Sequence, residues 1–232
     1  MRESIESVPF DLTRYRDEFE TAYKDVQGLH NVRFVWKNLL RMFESQPDLP
    51  AHELVNYWLA TTYTRTLAVG IRRQCESGDT RPTIGSLLRR VKAHADTITR
   101  ESCEFDAVAT DWSDDVDGWL HFADAVDKPL DVNRVQPLVD TLAAASAIAT
   151  RWVNKRVAHF DRAESVDIPT FDELEDALLR LRQGVVFLWR LLNRGQFLVQ
   201  VTPEFSAQWM EPFRHAWFDP DRMTMVTPRE LG

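Results

Sequence analysis

Pro169-Thr170-Phe171-Asp172-Glu173 opens a stretch that reads as an α-helix from its first turn. Thr170 is placed to accept from the backbone N–H of Glu173 while the Glu173 side chain reaches back, which is a capping box. Leu174, Leu178, Leu181, Val185, Leu188 and Leu192 then recur at three- and four-residue steps, and Gly195 supplies the stop after Asn193. One apolar face of that length needs other helices to cover it.

Working outward, the same periodicity recurs. Upstream, Asp131 or Asn133 can cap a long helix running to about Phe160, with Leu138, Leu142, Ala145, Ala149, Trp152, Val153 and Val157 on one face. A shorter helix fits 83–94, and a long one starts near Pro50 and stops near Ser77-Gly78-Asp79. Two further helices are expected over 10–27 and 29–45. In 95–132, Trp112, Trp119, Leu120 and Phe122 can anchor another within an acidic segment. Gln196–Val201 suits a brief extended piece, and Phe205, Trp209, Phe213, Trp217 and Phe218 suggest a packed aromatic appendage. The expected fold is all-α, an antiparallel bundle of about six to seven helices with a small C-terminal appendage. Its expected divisions are N-terminal helices packed on the core (1–49), the main helical domain (50–195) and the appendage (196–232).

Composition narrows the function classes. With 8 Gly in 232 residues there is no glycine-cradled phosphate loop, and no nucleophile elbow or paired-cysteine zinc site occurs. The six histidines form no His-x-x-x-His pair and none has a Glu three residues before it, so neither a metal nor another cofactor is expected. The two cysteines, Cys75 and Cys103, read as buried reduced thiols, with pairing as the alternative. No apolar run approaches the roughly 20 residues of a membrane span, and the N-terminus lacks a signal-peptide pattern, so a cytoplasmic protein is expected.

A net charge of −8 argues against coating nucleic acid by bulk electrostatics. The charge is uneven. Residues 72–100 hold seven cationic side chains against three acidic ones, whereas 101–127 hold nine acidic and no cationic ones. Two solvated faces account for both blocks. The alternative is that the acidic segment covers a basic surface.

Chemistry concentrates in Asn154-Lys155-Arg156-Val157-Ala158-His159-Phe160-Asp161. On a helix, Lys155 and Arg156 lie one turn before His159 and share its side. Two neighbouring cations disfavour the imidazolium, which leaves the ring available as a base near neutral pH. An imidazole with a guanidinium suffices for metal-free RNA cleavage, one moving the 2′-hydroxyl proton and the other stabilising the charged transition state. The plainer reading is that these charges complement the dipole at a helix C-terminus.

The stretch resembles the HEPN superfamily, most closely its abortive-infection branch, whose members carry Arg-polar-Lys-x-x-Ala-His-x-Asp at the end of a long helix. Upstream, Thr64–Arg73, Asp79 and Thr83-Ile84-Gly85-Ser86-Leu87-Leu88 are similar to that branch's helix-loop-helix, so the likeness spans roughly 50–195. It implies a helical domain that commonly dimerises. Many members are metal-independent endoribonucleases of toxin–antitoxin or antiphage systems, and others bind RNA or nucleotides without cutting. Carried over, His159 matches the family histidine and Asn154 the polar residue after the family arginine; Lys155 and Asp161 match flanking positions. The arginine itself aligns with Val153, with Arg151 too early and Arg156 too late. Catalytic candidates are therefore His159, Arg156 and Asn154, and RNA-binding candidates Lys155, Arg151 and Asp161. Three readings stay open: a homodimeric ribonuclease held by a protein antitoxin or regulator, an inert module binding RNA, a nucleotide or a partner protein, and a helical scaffold.

Overall fold

Among the described residues there are five α-helices, α1 (Leu12–Ser45), α2 (His52–Cys75), α3 (Ile84–Ala93), α4 (Val132–Trp152) and α5 (Phe171–Leu192), with a 3-10 turn at Gly118–His121. The computed structural model describes residues 10–45, 52–76, 81–105, 118–154 and 168–193. All lie within one compact unit, Met1–Thr202; a second comprises Pro203–Gly232. The expected appendage and the extended piece at Gln196–Val201 fall outside the described residues. Among the described residues there is no strand, and the fold is all-α.

The caps expected at Thr170 and Asp131 form, and the structure adds one at Thr83. Thr170 Oγ1 accepts from the Glu173 N–H at 3.2 Å while Glu173 Oε2 accepts from the Thr170 N–H at 2.8 Å. Asp131 caps α4 by accepting from the Asn133 N–H at 2.9 Å. Thr83 caps α3 through a reciprocal pair with Ser86, both bonds at 3.0 Å.

Two expectations change. The helices anticipated over 10–27 and 29–45 are one helix of 34 residues. Gly28 costs about 1 kcal/mol inside a helix, and no proline or cap follows it. Burial of Val26, Leu29 and Trp36 on either side outweighs that cost. In 95–132 the described residues form turns and the one 3-10 turn. They are held by Leu130 N–H to Ile98 O and Asp131 N–H to Phe122 O, each 2.8 Å, and by Trp119 Nε1 to Lys128 O at 3.0 Å. Trp119 and Phe122 pack edge-on against Phe105, and the expected helix around Trp112 lies outside the described residues.

Pairings across the helices set their directions. Asp25 meets Gln74 while Trp36 stacks on Tyr63, so α1 and α2 run antiparallel. Arg16 donates to Leu192 O at 2.5 Å while Trp36 contacts Phe171, so α1 and α5 do too. Leu142 lies against Gly184 and Arg134 shares a groove with Arg190, which makes α4 antiparallel to α5. The result is an up-down-up-down bundle of α1, α2, α4 and α5, with α3 packed against all four. Its core includes Leu67, Ile71, Leu88, Val135, Leu178 and Leu188.

Among the described residues, cations of the basic block at 72–100 meet acids of α1, and residues 106–117 of the acidic segment lie outside the described residues. Arg90 pairs with Glu18 and sits 4.8 Å over the Tyr15 ring, while Arg73 and Arg81 reach Asp25 at 3.6 and 3.2 Å. Of the described acids of 101–127, Glu104 reaches Arg16 at 3.6 Å and Asp124 reaches Arg134 at 3.8 Å.

Candidate functional site

The sequence motif begins where α4 ends. Trp152 and Val153 are buried, and Val153, the position where the resemblance leads one to expect an arginine, is only 3% exposed. Arg151 and Asn154, three residues apart and hence on one side of the helix, are both exposed. The backbone widens into a π-type turn at 153–154. Lys155, Arg156, His159 and Asp161 lie outside the described residues, so of the six candidates the structure places two, Arg151 and Asn154, together on the surface.

The register of the bundle puts the end of α4 level with the start of α5. There Glu175 on α5 accepts from Lys37 at 2.6 Å and Arg33 at 3.1 Å on α1. Burial opposes the charge of Glu175, but these hydrogen bonds hold its carboxyl below the usual range. Beneath them Trp36, Tyr63 and Phe171 form an aromatic cluster with centroids 5.1 to 5.7 Å apart. Burial, with Glu175 nearby, pushes the Tyr63 hydroxyl up to about 12, and that hydroxyl has no hydrogen-bond partner among the described residues. On the same end of the bundle Tyr57 and Trp58 stand 71% and 63% exposed on α2. The α1–α2 register sets Trp58 level with the exposed Arg41. Exposed aromatic rings with cations nearby are able to stack bases while holding phosphates.

His30 is a titratable group that sequence reading passed over. Desolvation, then the charges of Arg33 and Arg182, lower its imidazole to about 4. It is neutral at pH 7 but enclosed between helices, so it has no access to a substrate proton.

At the opposite end, an open groove of about 560 Å³ runs between α4 and α5 beside the 3-10 turn. Arg134, Arg182, Arg190 and His121 border it, over Phe122, Leu138, Leu179 and Phe187. Desolvation, then Arg190 and Arg134, lowers the His121 imidazole below its usual value. No motif marks this groove in the sequence. The available signal is Arg182, Val186 and Arg190 at four-residue steps along the margin of α5's apolar face.

Cys75 and Cys103 are both free and buried, and burial pushes each thiol up to about 12. Among the described residues no helix is long and apolar enough to cross a membrane. Compared with family models, curated proteins and solved structures, the chain has no match.

Proposed function

We propose that this chain is a HEPN-like helical module of a defence or toxin–antitoxin system that binds RNA through the end of α4 without the arginine–histidine cleavage chemistry. The observation that carries the reading is the burial of Val153 between two outward-facing polar residues, Arg151 and Asn154. A valine enclosed in the core leaves no guanidinium where the family's transition-state cation would act. Arg151 and Asn154 remain available to hold a phosphate, and the exposed Tyr57 and Trp58 offer faces for bases. In this reading the protein is cytoplasmic and pairs with a second copy, as HEPN domains commonly do, with a protein antitoxin or regulator as the further partner.

A metal-independent ribonuclease is the second reading, favoured by the exposure of Arg151 on the last turn of α4. There His159 would be the general acid or base, with Arg156, Lys155 and Asn154 on the phosphate and Asp161 beside them.

Labelled RNA incubated in EDTA with the purified protein and with His159→Ala separates the two. The expected result is binding by both without cleavage. Arg151→Ala is expected to weaken binding uniformly across sequences and to reduce the salt slope by about one. Cleavage lost in His159→Ala would overturn the binding reading in favour of the nuclease, and neither binding nor cleavage would leave a helical scaffold. Sizing in solution tests the pairing separately.

A further inference from the structure

The groove between α4 and α5 lies at the other end of the bundle from the motif, and its chemistry stands independently of the RNA reading. Three arginines and a histidine border it, and none of the described residues lining it is acidic, in a chain of net charge −8. Arg182 is exposed and pairs with no carboxylate among the described residues. Arg134 has only long contacts, 3.8 Å to Asp124 and 4.0 Å to Asp131. Guanidinium groups are suited to bidentate contact with phosphate oxygens.

The walls decide what else the ligand must carry. Leu138, Leu179, Val186 and Phe187 present apolar surface above the buried Phe122, and Leu179 is 51% exposed on the rim. Phe122 and Phe187 meet edge-on at 5.2 Å and form an aromatic floor. Bare phosphate would leave this surface wet. A nucleoside would bring sugar hydroxyls and base edges for which Gln183 is the one side-chain amide among the described lining residues. A fatty acid would bring one charge to several cations. The volume is in the range of small-molecule sites, which is roughly 300 to 1,000 Å³.

We propose that this groove binds a small organic phosphate or diphosphate with an apolar body, its phosphate on Arg134, Arg182 and Arg190 and its body against Phe122, Leu138 and Phe187.

Calorimetric titration of the full chain with geranyl diphosphate, geraniol, pyrophosphate and ADP tests the assignment. Geranyl diphosphate is expected to bind at least about tenfold more tightly than the other three, since both halves of the site are used. Arg182→Ala and Arg134→Ala, both at exposed positions, are expected to weaken it about tenfold each. Arg180→Ala, whose guanidinium pairs with Asp176 at 2.7 Å and does not line the groove, is expected to leave affinity unchanged. Failure of geranyl diphosphate to bind, binding no tighter than geraniol or pyrophosphate, or equal losses in Arg180→Ala and Arg182→Ala would each overturn the proposal. Tighter binding of ADP would replace the apolar body with a nucleoside and overturn it too. Vesicles of phosphatidic acid, added as competitor, separate a lipid headgroup from a free phosphate ester: displacement assigns the site to the headgroup, and its absence to the free ester.

Discussion

His30 sits in the wall of the bundle with its Nε2 lacking a hydrogen-bond partner among the described residues. A buried donor or acceptor left unmade costs about 1–3 kcal/mol, and protonation would add a charge beside Arg33 and Arg182. In the unfolded chain the imidazole titrates near the ordinary 6.5, whereas in the fold it titrates near 4. Above about pH 6.5 both states are neutral and His30 adds no pH dependence. As pH falls from there toward 4, the unfolded state takes up a proton that the folded state refuses, so stability drops by on the order of 3 kcal/mol. His30→Leu is therefore expected to flatten the acid limb of stability against pH and to be neutral or stabilising at pH 7. Urea midpoints measured from pH 4 to 8 check this, and superimposable acid limbs would refute it.

At the scale of elements, the joint between α2 and α3 is the most constrained part of the bundle. Gln74, 1% exposed, donates to Asp25 on α1 and accepts from the N–H of Ile84 at the start of α3. Thr83 donates to Glu76 O at 2.8 Å, and the Arg89 guanidinium donates to Cys75 O at 2.6 Å, so carbonyls at the end of α2 are paired. Gly85 lets the two elements approach, since a Cβ there would stand 2.6 Å from Cys75 O and 2.9 Å from Cys75 C. Those atoms are backbone, held by the bonds just named. Gly85→Ala is thus expected to destabilise by about 1–3 kcal/mol. Gly28→Ala has no neighbour within 4 Å and should stabilise α1 by about 0.5–1 kcal/mol. Denaturant unfolding of the pair reads both signs, and a shared sign would contradict the account. The approach at Gly85 is not legible in the sequence, because it depends on where the end of α2 lies in space.

For the molecule as a whole, the aromatic cluster ties three of the four long helices. Trp36 on α1 stacks on Tyr63 of α2 and leans on Phe171 of α5. With Trp36 only 4% exposed, Trp36→Ala is expected to cost about 3–5 kcal/mol, read as a lowered urea midpoint with the transition still cooperative. A change below about 1 kcal/mol would mean that the cluster does not hold the helices together. Above this cluster the paired charges of Arg33, Lys37 and Glu175 are partly exposed, and their contribution is expected to be small and weakened by salt.

The all-α class, the caps of α4 and α5 and most of the buried faces follow from spacing along the chain, because a helix satisfies its own backbone and its apolar period shows which side is covered. The expected cluster of Lys155, Arg156 and His159 rests on that same periodicity and lies outside the described residues. Tertiary structure decided what depends on neighbours distant in sequence. Gly28 stays inside one long helix because α2 and α5 bury both halves of it. Val153 faces the core while Arg151 and Asn154 face out, and Arg134 on α4 meets Arg182 and Arg190 on α5 only because the two helices run antiparallel in one register. The pattern of one segment carries no information about which residues of another it will face.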